Sequence, residues 1–282
     1  MKELTIEITN NCCLNCIQCS TMAGEEKNSF MPLEDVKKFI KQFPNFEIVR
    51  YSGGEPFNHK EIIPILKYTK KQNKIVEILS CGIKGYKEIP EKIMNKISPY
   101  VDKIIFSMHG YDDTHDEIVT SDKQLIRHPP YWDFMIDSFD HARWAGINTS
   151  FETVLMKDNY NKLEEIARSV SLCNKIARED WDSKKPFEEV TWHILRFVKQ
   201  GRGKINPYEN LNKKEIENFP KKVEELKEKY NLKITYTNSF EKNKCDCGSE
   251  KAVVTYNGKI ISCSALKYMK KTDKKFACKN RI

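Results

Sequence analysis

The chain has 282 residues, 31% charged and 39% hydrophobic, with 48 Lys and Arg against 40 Asp and Glu for a formal net charge of +8. That length suits one large domain, or a large domain with a small one, and no run approaches the ~20 apolar residues a membrane-spanning helix needs. Ten cysteines without a secretory signal point to metal binding in a reducing, cytoplasmic setting rather than to disulfides, and the lysine-rich balance favours solubility over nucleic-acid binding.

Short β-rich runs alternate with helical patterns, the mark of βαβ units and a parallel sheet. The first strand is predicted over 3–8 and is followed at once by Cys12, Cys13, Cys16 and Cys19. A helix near 33–43 leads to a strand over 47–52, which ends on Gly53-Gly54-Glu55-Pro56. The next helix, 60–72, is expected to place Ile62, Ile63, Leu66 and Lys70 on one face, with Pro64 in its first turn. Strands at 74–80, 101–107, 147–155 and 189–198 then alternate with helices near 87–97, 131–145 and 160–176. A charged helix at about 212–229 carries Phe219, Val223 and Leu226 as its apolar stripe. Long loops are expected from His109 to about Pro130 and from Lys199 to about Asn212, and long loops at strand ends are more often binding loops or lids than spacers. Near the C-terminus, Asn257-Gly258 between β-branched flanks predicts a hairpin over Val253–Ile261.

Cys12, Cys16 and Cys19 form C-x3-C-x2-C. A ferredoxin-type run continued from Cys13 and Cys16 would need a fourth cysteine at position 23, where Ala23 stands. A 4Fe–4S cluster held by three thiolates keeps one iron open for a small molecule. Zinc or plain buried thiols are the alternatives, but they leave Gly53-Gly54-Glu55-Pro56 unexplained. Cys13 is read as a bystander.

With these two motifs at consecutive strand ends, the chain resembles the radical S-adenosylmethionine (SAM) superfamily. The resemblance implies an α/β fold built as an incomplete (β/α)6 TIM-like barrel. It also implies a 4Fe–4S cluster on Cys12, Cys16 and Cys19, and a SAM whose amino group is held by Gly53, Gly54, Glu55 and Pro56. The cluster delivers an electron that cleaves SAM to a 5′-deoxyadenosyl radical, which takes hydrogen from an unactivated C–H bond. Gln18 departs from the aromatic residue usual before the third cysteine. By the same resemblance Ser80, Ser107 and Ser150 contact SAM, and His109 faces substrate. His115-Asp116 is read as scaffolding. Arg196 and Arg202 carry planar forks suited to clamping a carboxylate or phosphate, or to closing the barrel rim in a salt bridge.

The C-terminal Cys245, Cys247, Cys263 and Cys278 flank the hairpin and resemble the "twitch" form of the SPASM extension. They imply one auxiliary iron–sulfur cluster, with structural zinc as the rival. The expected domains are therefore a core over 1–230 and a small auxiliary domain over 231–282. The expected partners are a peptide or small-molecule substrate and an electron donor such as flavodoxin or ferredoxin, with no membrane and no nucleic acid. A molybdenum-cofactor-cyclase-like enzyme acting on a nucleotide, and a non-catalytic iron–sulfur or zinc nucleic-acid-binding protein, are the alternative readings.

Overall fold

The computed structural model describes residues 2–24, 29–120, 130–179, 188–205, 210–237, 240 and 250–262. In chain order the elements are β1 (Glu3–Thr9), α1 (Leu33–Gln42), β2 (Ile48–Gly53), α2 (Ile62–Lys71), β3 (Ile75–Ser80), β4 (Ile83–Lys84), β5 (Lys87–Glu88), α3 (Glu91–Ile97), β6 (Lys103–Ser107) and α4 (Asp113–Thr120). There follow α5 (Tyr131–Trp144), β7 (Asn148–Leu155), α6 (Lys157–Tyr160), α7 (Leu163–Glu179), β8 (Thr191–Arg196), α8 (Arg202–Ile205), α9 (Lys213–Tyr230), β9 (Lys233–Tyr236), β10 (Lys251–Val254) and β11 (Ile260–Ile261).

The six predicted strands β1, β2, β3, β6, β7 and β8 lie side by side in that order, all parallel. This is the α/β partial barrel expected from the sequence. β9 extends it beyond β8, and β10 pairs parallel with β1 at the other edge, with β11 antiparallel outside it. The predicted hairpin is thus present and joins the main sheet. No helix among the described residues is long and apolar enough to cross a membrane.

The period-2 alternation of a strand sorts its side chains onto two faces. Leu4, Ile6, Ile8, Val49, Tyr51, Val76, Ile78, Ile104, Phe106, Phe151, Trp192 and Ile194 are buried in one apolar core with the helices. There Phe139 of α5 stacks on Phe151 at 4.7 Å and meets Phe106 edge-on at 5.9 Å. Each such ring contributes roughly 1.5–3 kcal/mol by leaving water. On the other, concave face the register sets Thr5 beside Arg50 and Arg50 beside Glu77. Arg50 donates to Glu77 Oε2 through Nε at 2.9 Å and Nη2 at 2.6 Å, and to Glu3 Oε1 through Nη1 at 3.0 Å. The apolar layer holds the barrel together; the concave face is left polar.

Three local expectations change, one of them being that the 199–212 stretch expected as a loop holds α8. In α2 the buried residues are Ile62, Ile65, Leu66 and Thr69, while Lys70 turns out to pair with Asp102 at 2.6 Å. The buried set follows i, i+3, i+4 and i+7 from Ile62, and Ile63 packs at the margin of the core. The His109–Pro130 stretch also holds α4 where a loop was expected. Its residues 121–129 lie outside the described residues. Backbone bonds from Asn15 and Ile17 to the Val119 and Ile118 carbonyls, both 3.0 Å, dock α4 on the cysteine loop. Asp116 accepts from the Tyr131 and Trp132 amides at 3.2 and 2.9 Å, capping α5, whose own N-cap position is Pro130. Both supports are tertiary, so no local pattern announces the helix.

Candidate active site

Residues at or beyond the C-terminal ends of β1, β2, β3 and β6, with one residue of β7, meet at one cavity. It is lined by Cys12, Cys16 and Cys19 from the loop after β1, by Ser52, Gly53 and Gly54 at the end of β2, and by Leu79, Ser80 and Cys81 at the end of β3. Ser107 and His109 after β6, Val119 of α4 and Glu152 of β7 complete much of the wall. In parallel α/β sheets this is the functional end.

The cysteine loop is shaped by its backbone. The Cys12 and Cys19 sulfurs accept from the Leu14 and Ala23 amides, each at 3.4 Å. Gly53 has φ +131°, and a Cβ there would lie 2.1 Å from the Thr9 carbonyl oxygen; at Gly54 it would lie 2.3 Å from the Asn11 carbonyl. The two glycines let the second strand end press against the start of the cysteine loop. Arg202 pins the far side. Its Nη1 and Nη2 donate to the Cys16 and Ala23 carbonyls at 3.0 and 2.8 Å, and its amide donates to the Cys19 carbonyl at 2.9 Å. Gly201 just before it leaves room for that approach, since a Cβ would sit 2.5 Å from the Cys19 carbonyl.

Glu55 is fully buried, and both carboxylate oxygens are engaged by the protein. Oε1 accepts from the Phe57 amide at 3.1 Å and the Ser80 hydroxyl at 2.9 Å; Oε2 accepts from the Cys81 amide at 2.8 Å and the Cys81 thiol at 2.9 Å. Burial raises its pKa, against which these four bonds act. The Ser80 hydroxyl in turn accepts from the Gly82 amide at 2.9 Å. Glu55 therefore ties the end of β2 to the end of β3, with Gly53 and Gly54 forming the wall in front of it.

His109 is 5% exposed, and its Nδ1 accepts from the Val154 amide at 3.3 Å. The ring proton is therefore on Nε2. Burial lowers its pKa to about 4, and that of His115 to about 3 by burial and the His109 charge, so both are neutral near pH 7. Ser107 lines the cavity; Ser150 lies two residues short of it, and the β7 residue that reaches the cavity is Glu152. Arg196 is not part of that wall, and its amide donates to Thr237 Oγ1 at 3.2 Å. Cys13 packs against Ile83, with its thiol 3.9 Å from the Ile83 carbonyl. Cys245, Cys247, Cys263 and Cys278 lie outside the described residues.

Glu152 is the residue the sequence reading passed over. The signal was a carboxylate at an inward position of a strand whose alternate residues Phe151 and Thr153 are buried. Burial raises its pKa to about 7, opposed by Arg50 and Lys251 and aided by Glu3 and Glu77. His193, in register with it on β8, is held at about 4 by burial and does not offset the charge. A carboxyl whose folded pKa lies above its unfolded value of ~4.3 contributes stability below that value and loses it as pH rises through 7. Glu152→Gln is therefore expected to be more stable than the native protein above pH 7, by at most about 4 kcal/mol, and to unfold at a higher temperature there. The difference should vanish near pH 4 in parallel thermal melts.

Three thiols at the wall of one cavity suit a cluster. Among the described residues no three His, Cys, Asp or Glu side chains converge on one metal position. The three thiols instead surround one cavity, as required when each thiolate binds a different iron. They are close enough to interact: the Cys16 thiol is pushed well above its ordinary value by burial and then by Cys12 and Cys19, with the Arg202 charge acting in the opposite sense.

The chain is similar to several known proteins. A protein from Pyrococcus furiosus named tungsten-containing aldehyde ferredoxin oxidoreductase cofactor-modifying protein is 24% identical over 183 residues, covering 60% of this chain and 48% of its own length. Mycofactocin maturase MftC from Mycolicibacterium smegmatis is 22% identical over 167 residues, 58% of this chain and 40% of its own. The chain thus spans about half the length, or less, of these curated relatives. The crystal structure of Streptococcus suis SuiB bound to S-adenosylmethionine superposes with a TM-score of 0.70 at 16% identity, over 95% of this chain and 61% of SuiB. At that identity the likeness establishes the fold. The model of the radical SAM superfamily matches residues 6–170, more than half of the chain. The chain belongs to the radical SAM superfamily.

Proposed function

We propose that the protein is a radical SAM enzyme that acts on a C–H bond of a peptide or small metabolite. The carrying observation is one cavity at the strand ends that is lined both by Cys12, Cys16 and Cys19 and by Gly53 and Gly54. When bound, the 4Fe–4S cluster and SAM supply the 5′-deoxyadenosyl radical; the protein holds and shields them. The three thiolates hold the cluster, and Arg202 fixes the loop that carries them. The Gly53–Gly54 backbone receives the methionine end of SAM, with Glu55 setting the position of that wall. Ser107 and the Nε2–H of His109 offer hydrogen bonds on the opposite side, and α4 with the preceding turn keeps water from the cavity.

A peptide substrate is supported by two structural neighbours, SuiB with its precursor peptide SuiA and anSMEcpe with a bound Cp18Cys peptide. The auxiliary domain over 231–282 remains part of the proposal. Its hairpin lies between Cys247 and Cys263 in sequence, and β10 and β11 pair antiparallel, Val253 with Ile261 and Val254 with Ile260. A cluster on Cys245, Cys247, Cys263 and Cys278 would accept the electron left after hydrogen abstraction, or bind substrate. The reducing electron then comes from a flavodoxin or ferredoxin.

Iron counting after anaerobic reconstitution tests this. About eight irons are expected, and about four after replacing Cys12, Cys16 and Cys19 together with Ala, with 5′-deoxyadenosine formation abolished. A triple variant that keeps all its iron and still forms 5′-deoxyadenosine would overturn the assignment.

A further inference from the structure

Two carboxylates stand at this cavity, and the protein treats them in opposite ways. Glu55 receives four hydrogen bonds within 3.1 Å. Glu152, which lines the cavity itself, receives none from its side-chain surroundings among the described residues. Its backbone is nevertheless fixed, since its carbonyl accepts from the Met108 amide at 2.9 Å, and its strand is paired on both sides, with Ser107 and with His193. The side chain is thus held at the wall by the sheet.

The nearby cations are already committed. Arg50 gives its three nitrogens to Glu77 and Glu3, and Lys251 stands 3.8 Å from Glu3. The three facing or adjoining histidines, His109, His115 and His193, are neutral near pH 7 because burial is their first perturbation. Three carboxylates, Glu3, Glu77 and Glu152, therefore share two cations. A desolvated carboxylate without its own donor or counter-charge is costly, and a stable fold gains nothing by keeping one at a cavity wall.

We infer that Glu152 is the anchor for a protonated amine of the substrate. This rests on the reading of the cavity as the SAM and substrate chamber. An ammonium is a compact charge with three donors. It meets the carboxylate of Glu152 and, next to it in register across β6 and β7, the hydroxyl of Ser107. A substrate carboxylate or phosphate meets like charge there instead. The inference selects among the peptides and metabolites of the proposed function those with an amino group near the reacting carbon.

The test uses the cluster-reconstituted, SAM-loaded protein and three probes of similar size, n-propylammonium, propionamide and propionate, followed by ligand-observed NMR. Propylammonium is expected to bind at least about tenfold more tightly than the other two, the scale of one charge-assisted hydrogen bond. Glu152→Gln should erase that preference and Glu152→Asp should retain part of it. Propionamide or propionate binding as well as propylammonium to the native protein overturns the inference, whatever the variants do. So does a preference that survives Glu152→Gln. SAM binding is measured in parallel: if SAM binds and the amine preference is missing, only this inference falls. If SAM does not bind, the reading of the cavity falls with it.

Discussion

Glu55→Gln is expected to lower SAM affinity by about ten- to hundredfold, the loss of one charge-assisted hydrogen bond of roughly 1.5–3 kcal/mol, while iron loading is retained. The reason lies behind the cavity wall. The carboxylate accepts from four donors, and two of them, the amide and thiol of Cys81, share Oε2. An amide side chain offers one acceptor oxygen in place of two, so its NH2 must face either the Cys81 donors or the Ser80 and Phe57 donors. One buried side is left with donors opposed, at about 1–3 kcal/mol. The ends of β2 and β3 separate, and the Gly53–Gly54 wall that receives the methionine end of SAM shifts with them. Calorimetric titration of the reconstituted protein with SAM reads the effect. An unchanged affinity would place the methionine end elsewhere.

Arg202→Ala is expected to lose iron from the first cluster on gel filtration, with SAM cleavage and substrate turnover falling together. The guanidinium links the Cys16 and Ala23 carbonyls across the cysteine loop. Removing it takes the guanidinium donor from the Ala23 carbonyl and leaves the Cys16 carbonyl with the Cys19 amide at 3.2 Å, a loss of about 1–3 kcal/mol in the loop that sets the spacing of the thiolates. Arg202→Lys keeps the charge but replaces a planar fork by a single ammonium, so an intermediate loss is expected. This geometry favours a positioning role over an anion clamp. The discriminating result is a split: turnover lost with SAM cleavage and iron intact would return Arg202 to the substrate.

The sequence makes the local part of this site legible and the non-local part not. C-x3-C-x2-C and Gly53-Gly54-Glu55-Pro56 are contiguous, and their strands are set by β-branched runs bounded by polar turns. The first strand was expected over 3–8 and spans Glu3–Thr9; the fifth was expected over 147–155 and spans Asn148–Leu155. The stripe Phe219, Val223 and Leu226 is the buried face of α9. Arg202 is different, because its partners stand 186 and 179 residues away in sequence, and no spacing rule connects them. Glu152 reads as one more charge until the pairing of β7 with β6 and β8 turns it inward. β9 and β10 are short runs whose places beyond β8 and beside β1 depend on partners far away in the chain. α4 owes its form to its docking on the cysteine loop and to Asp116 capping α5, both tertiary effects that override local propensity.

The central claim is that Cys12, Cys16 and Cys19 hold a cluster whose open iron faces a SAM site walled by Gly53 and Gly54. Electron paramagnetic resonance of the dithionite-reduced, reconstituted protein, recorded with and without SAM, tests it most directly. A reduced 4Fe–4S signal that changes shape and g-values on adding SAM, and a SAM-responsive signal missing from the Cys12, Cys16 and Cys19 to Ala triple variant, is the predicted result. A signal indifferent to SAM, or a SAM-responsive signal that persists in the triple variant, would contradict it.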